Sequence, residues 1–185
     1  MKKTKLSGRY AKALHDFAIE QNTEEIVYQD ILFLKDVFKD NRELRIVIES
    51  PIIVAAKKES IFVAIFQDKI SSTTLEFLKL IITKRREPAL MDIFESFIIC
   101  YYQKHNIKTA VLTTAVQLSD TLLQNIVAML EKETKATIRL EQVIDPKIIG
   151  GVMVRVDDFI YDASILGQVN RLKTEFSHNI YQASF

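Results

Sequence analysis

One cysteine, Cys100, among 185 residues leaves no partner for an internal disulfide, which suits a reducing compartment. Charge of one sign is missing as well. Twenty-five basic residues stand against 24 acidic ones, a net of +1, whereas a general nucleic-acid binder usually shows a basic excess or stripe. No segment approaches the roughly 18 uninterrupted apolar residues a membrane span requires. The basic start Met1-Lys2-Lys3 is not followed by the apolar run of a signal peptide. The three histidines, His15, His105 and His178, lie too far apart for two ligands on one helix, so no metal or cofactor is expected. Glycine and proline are scarce, four and three, and three of those glycines and one proline fall between Asp145 and Gly167. Hydrophobic residues are plentiful at 48%, enough for one ordinary domain or two small ones with separate cores. The expectation is a soluble, cytoplasmic protein.

From about Ser7 to Asn106 apolar residues recur at helical spacing, broken by polar clusters and two prolines. The first predicted helix carries Leu6, Tyr10, Ala13, Leu14 and Phe17 on one side, with Ala11 and Ala18 widening the stripe. At 100° per residue that face spans about 160°, against the roughly 100° a surface helix buries, which leaves part of it for a partner. A second helix opens at Asn22 with Glu25 completing a capping box. A third ends before Ser50-Pro51 because proline disfavours helical geometry in the residue before it. Ile61 to Phe66, Leu75 to Ile82 and Ile93 to Tyr101 supply three more, and short loops favour an antiparallel bundle.

After Asn106 the run Ile107 to Ala115 is rich in β-branched residues and reads as a strand. Ser119 can cap a helix running to about Glu133, and Thr137 to Glu141 alternates as a half-buried strand does. Asp145-Pro146 makes a turn. Gly151 to Val156 and Phe159 to Asp162 form a hairpin joined by Asp157-Asp158. A last helix sets Ile165, Val169, Leu172, Phe176 and Ile180 within an arc of about 80°. The expected fold is α+β: an all-α six-helix bundle over residues 1–106, then a small α/β domain over residues 107–185 with a short sheet and two helices.

Catalytic chemistry finds no foothold. Gly150-Gly151 is followed by Val152-Met153-Val154 instead of the Gly-Lys-Ser/Thr of a phosphate loop, so glycine at a strand start or bulge is the better reading. Cys100 borders the Phe97 and Tyr101 stripe and reads as packing. Asp162 and Ser164 flank the start of the last helix, where Ser164 suits an N-cap and no neighbouring base activates it. Lys84-Arg85-Arg86 ends the fifth helix, complementing its dipole, and its guanidinium groups suit an acidic partner. Thr73 and Glu76 form a second capping-box pattern.

Together these segments resemble the delta subunit of the bacterial F-type ATP synthase, the counterpart of the mitochondrial oligomycin-sensitivity-conferring protein. Arg9-Tyr10-Ala11-Lys12-Ala13-Leu14 with Phe17-Ala18 is similar to the family's first-helix signature, Ser50-Pro51 to its Ser-Pro turn, and Lys84-Arg85-Arg86 with Leu90, Ile93 and Phe94 to its helix junction. Most specific is the order Asp145-Pro146, Ile149-Gly150-Gly151, Asp162-Ala163-Ser164 and Gly167. Ala163 stands where the family usually has glycine, Leu166 where it has arginine, and Asp157-Asp158 where a Gly-Asp pair is common.

The resemblance implies a non-catalytic stator subunit, one copy per complex, joining the catalytic head to the peripheral stalk and resisting the rotor's torque. It implies that residues 1–106 receive the N-terminal segments of the alpha subunits through Tyr10, Ala13 and Phe17 of the first helix and Glu76 and Leu80 of the fifth. Residues 107–185 would receive the stalk's b subunits around Leu172, Phe176 and Ile180, although that seam also suits packing on the sheet. The location implied is peripheral, on the cytoplasmic face of the bacterial plasma membrane, with no cofactor, no direct membrane insertion and no nucleic acid. The alternative is a helical nucleic-acid-binding or regulatory module, since small bundles host such functions too.

Overall fold

In the computed structural model, which describes residues 5–177, six α-helices precede the first strand. They are α1 (Lys5–Glu20), α2 (Glu24–Asp40), α3 (Arg42–Glu49), α4 (Ala55–Phe66), α5 (Ser72–Thr83) and α6 (Leu90–Lys104). The apolar spacing of each chooses its buried face. Phe38, Phe62, Phe66, Phe94 and Phe97 are essentially fully buried, and the Phe38 ring lies 6.1 Å from Phe62 and 5.9 Å from Phe94. Rings at such separations add directional attraction to the burial of their area. Against this core α1 packs on α6 and α2.

Two polar contacts fasten helices that the apolar pattern alone would leave free to slide. Buried Asp30 of α2 accepts on one oxygen from the Ser71 N–H (2.8 Å), the Ser71 hydroxyl (2.6 Å) and the Thr74 hydroxyl (2.7 Å), so the start of α5 is tied to α2. Lys58 Nζ of α4 donates to Glu87 Oε1 at 2.8 Å, with both side chains 5% exposed. Glu87 opens the 3-10 turn Glu87–Ala89 that leads into α6.

Three of the expected caps take another form. The N-cap of α2 is Thr23, without a side-chain bond, while Asn22 adopts a left-handed φ of 54°. The Glu25 carboxylate is instead engaged by Gln29 and by the Tyr101 hydroxyl of α6. At α5 the cap is Ser71, whose hydroxyl accepts from the Thr74 N–H, so Thr73 and Glu76 lie inside the helix and Glu76 is exposed. Ser119 does occupy an N-cap position, but its hydroxyl pairs with that of Thr121. The Ser50-Pro51 stop behaves as expected: α3 ends at Glu49 and Ser50 is extended.

The chain parts into two units between Lys104 and His105. In the second, β1 (Ile107–Thr114), α7 (Asp120–Thr134) and β2 (Thr137–Ile144) form a βαβ unit with β1 parallel to β2. The hairpin of β3 (Val152–Val156) and β4 (Phe159–Asp162) adds two antiparallel strands, giving the order β2-β1-β3-β4. Alternation sends Ala110, Leu112, Ile138, Val154 and Val156 to one face, where Leu123, Ile126, Val127 and Leu130 cover them. The last described element is α8 (Ile165–Ser177). Eight helices and a small mixed sheet make the described fold α+β, as the sequence leads one to expect.

Gly151 is where the signature segment earns its glycine. Its φ is +76°, and a Cβ there would run into the Ala163 carbonyl oxygen and lie 3.0 Å from the Ser164 Cα. Both obstacles are backbone and do not swing aside. Gly151→Ala is therefore expected to cost about 1–3 kcal/mol, read as an earlier urea transition of the sheet unit.

Candidate protein-binding groove

α1 divides its side chains by size. Its buried positions are Ser7, Ala11, Leu14, His15 and Ala18, mostly small. The larger Tyr10 and Phe17 fall outside that face, Phe17 at 43% exposure. The wide apolar stripe is thus two faces, one for the bundle and one left over. On α5 the same division occurs: Phe77, Leu78, Ile81 and Ile82 are buried, while Leu80 is 45% exposed.

The two leftover faces meet. Arg9, Tyr10, Ala13, Leu14 and Phe17 of α1 and Thr73, Glu76, Phe77 and Leu80 of α5 line one trough of about 520 Å³. Leu14 and Phe77, both buried, supply its floor. All five residues expected from the sequence, Tyr10, Ala13, Phe17, Glu76 and Leu80, are brought together here. Four others, Arg9, Leu14, Thr73 and Phe77, complete the lining without being among the five. For α5 the signal was present, since 73, 76, 77 and 80 follow the one-face helical spacing.

Charge brackets the trough. Lys5, Leu6, Arg9, Tyr10 and Arg86 line an adjoining hollow of about 360 Å³ that shares Arg9 and Tyr10 with it. Arg86 follows the end of α5, so α5 meets α1 with its C-terminal end at the N-terminal end of α1. Glu76 lies about two turns back along α5 from Thr83. Exposed apolar walls over a buried apolar floor are the geometry that helix-in-groove recognition uses, with anchors spaced at i, i+3 or i+4 and i+7.

In the second unit α8 stands apart from the sheet core. Its start is built by hydrogen bonds: the Ser164 hydroxyl accepts from the Gly167 N–H at 3.0 Å, and Asp162 Oδ1 accepts from the Ser164 N–H at 2.9 Å. The Ser164 hydroxyl and N–H hold the Asp162 carboxyl below the usual carboxylate range. A Cβ at Gly167 would meet that carboxylate, so a larger residue there shifts the Asp162 side chain from its place beside Ser164. Beyond this turn no side chain of α8 through Phe176 is buried. Leu172 is 51% and Phe176 75% exposed, so the described C-terminal part of the seam is largely open. Ile180 lies outside the described residues.

Comparison with known proteins agrees with this architecture along nearly the whole chain. Residues 6–176 match the family model for the ATP synthase delta (OSCP) subunit. The ATP synthase subunit delta of Cytophaga hutchinsonii is 32% identical over 180 residues, spanning 97% of this chain and 98% of that protein. The subunit of the same name from Amoebophilus asiaticus is 34% identical over 173 residues, 93% of this chain and 94% of that one. A chain from the cryo-EM structure of the Toxoplasma gondii mitochondrial ATP synthase hexamer shares the fold with a TM-score of 0.75 at 22% identity, covering 94% and 98% of the two chains. Among the described residues no helix is long and apolar enough to cross a membrane. The chain belongs to the ATP synthase delta (OSCP) subunit family, the structural, non-catalytic subunits of F-type ATP synthases.

Proposed function

We propose that the chain is the stator connector of its ATP synthase, joining the catalytic head to the peripheral stalk. In this reading the trough between α1 and α5 receives the N-terminal segments of the head's alpha subunits through Tyr10, Ala13, Phe17, Glu76 and Leu80. The stalk's b subunits take the exposed seam of α8, at Leu172 and Phe176. One copy serves each complex, held peripherally on the cytoplasmic face of the bacterial plasma membrane through its partners.

The observation that carries the reading is the trough itself. Phe17 and Leu80 are each more than two-fifths exposed beside a buried apolar floor, an arrangement that burial against a partner helix stabilises. The work required of the chain is mechanical. A turning rotor drags the head with it, and a fixed link must carry the counter-torque. Two interfaces on one chain suit this, because once one is made the other forms at high effective concentration, so moderate contacts hold together tightly.

Titration calorimetry of the full chain with a peptide of the first twenty or so residues of the alpha subunit from the same organism tests the reading. Binding with a micromolar or lower dissociation constant is expected; no heat at high micromolar peptide would sink it.

A further inference from the structure

The sheet of the second unit ends in two edge strands, and they differ. β4 is four residues long, and its Asp162 carbonyl oxygen accepts from Arg171 Nη2 at 3.1 Å. β2 runs for eight residues without a proline and pairs, among the described residues, with β1 alone. Its hydrogen bonds show which way its backbone groups turn. The Thr137 N–H donates to the Asn106 carbonyl at 3.1 Å and the Asp145 N–H to the Thr114 carbonyl at 2.8 Å, so odd positions face β1 and even positions face away from it. Ile138 accordingly sends its N–H outward, to Glu131 Oε1 of α7 at 3.1 Å. Leu140, Gln142 and Ile144 turn their N–H and C=O groups to the same strandless side. A row of this kind is a template for another strand. Side chains obey the same parity: Ile138 lies in the core beneath α7, whereas Arg139 and Glu141 are exposed on the other face.

We propose that β2 pairs with β2 of a second copy of this chain, antiparallel across a twofold axis at Leu140. In that register Leu140 meets Leu140, Arg139 of each copy meets Glu141 of the other, and Thr137 meets Val143. Charge selects this partner. Edges protected against pairing carry charged side chains, lysine above all, and like charges repel a copy of themselves. β2 instead carries opposite charges two positions apart, and the twofold lays each on its complement. Leu140, turned outward, forms a hydrogen-bonded pair with its copy, so Arg139 and Glu141 take the non-hydrogen-bonded positions, where facing side chains lie closer and opposite charges attract. Val143, 46% exposed, gains Thr137 as its neighbour across the strands. A foreign strand would have to offer Glu and Arg in the mirrored order. The pairing belongs to the chain outside its complex, and it is independent of both the trough and the α8 seam.

Sedimentation equilibrium of the full chain tests the pairing. The mass is expected to rise from 21.3 kDa toward twice that value between low and high micromolar concentration. Arg139→Glu and Glu141→Arg each set like charges opposite one another at both crossings, and each is expected to weaken the dimer about tenfold at low salt. Mixed in equal amounts, the two variants restore every pair and form heterodimers with the affinity of the unaltered chain. The double variant Arg139→Glu with Glu141→Arg exchanges the charges within one chain and also recovers the dimer. Both side chains are exposed, so circular dichroism of each variant is expected to stay unchanged. Amide exchange at Leu140 and Gln142 slows as concentration rises. A chain that stays monomeric at high micromolar concentration, or a dimer that ignores both charge reversals, overturns the proposal. So does a dimer abolished by Leu172→Asp and untouched by Arg139→Glu, which sets the contact on α8.

Discussion

Phe17→Asp abolishes binding of the alpha-subunit peptide while the helical circular dichroism of the chain stays as it was. The expectation follows from where Phe17 sits: 43% exposed, on the trough wall and off the buried face of α1. In the free protein the cost is small. Asp has a lower helix propensity than Phe by a few tenths of a kcal/mol, and a carboxylate near a helix C-terminus opposes the dipole by a similar amount, together about 1 kcal/mol at most. In the complex the same carboxylate faces an apolar helix that displaces its water, and the ring's contacts are lost. Central aromatic anchors of this kind are worth about 2–4 kcal/mol, thirtyfold to nearly a thousandfold in affinity. Tyr10→Asp acts in the same direction, since Tyr10 too lines the trough and lies off the buried face of α1. Calorimetry and circular dichroism on the same samples decide the matter. If both substitutions unfold the bundle, Tyr10 and Phe17 belong to the core and the trough is not a receptor.

The second large effect concerns stability. Lys58→Met leaves the Glu87 carboxylate buried at 5% exposure without its cation, and breaking a buried pair from one side costs about 3–5 kcal/mol. Set against a total of about 5–15 kcal/mol for a typical domain, that is enough to expose much of the helical unit to unfolding. The double substitution Lys58→Met with Glu87→Leu removes both charges and is expected to recover most of the loss, because two apolar chains of similar volume need no water. Urea unfolding with amide exchange in α4 measures both variants. A single-variant cost below about 1 kcal/mol would mean that water reaches the pair and that it does not fasten α4 to the turn before α6. The turn matters to the trough as well, since Arg86 immediately precedes it.

Much of this was legible in the sequence, and the parts that were not share a cause. The helices, the βαβ unit, the Asp157-Asp158 hairpin and the excess apolar width of α1 all follow from local spacing. The cap at Asn22 does not, because Glu25 is drawn to Tyr101, which is 76 positions away. Nor does the tie of Asp30 to Ser71 and Thr74, or that of Lys58 to Glu87, since each joins helices whose approach only packing decides. Glu76 looked committed to a cap, and the helix began elsewhere. For α8 the periodicity gave the seam but not its surroundings: an apolar stripe has the same spacing whether it packs on its own sheet or waits for a partner. The convergence of Arg86 with Lys5 and Arg9 needed the antiparallel meeting of α1 and α5.

The division of α1 into a small-residue face turned inward and a bulky face turned outward reaches into how this subunit can evolve. Ser7, Ala11 and Ala18 set the closeness of the helix to the bundle; Tyr10, Ala13 and Phe17 set what the trough accepts. Only Leu14 of α1 belongs to both the buried face and the trough lining, so the trough walls at Tyr10, Ala13 and Phe17 can drift together with the partner's sequence, substitution for compensating substitution, while the core stays as it is. A lineage can therefore re-key this junction while keeping the fold unchanged.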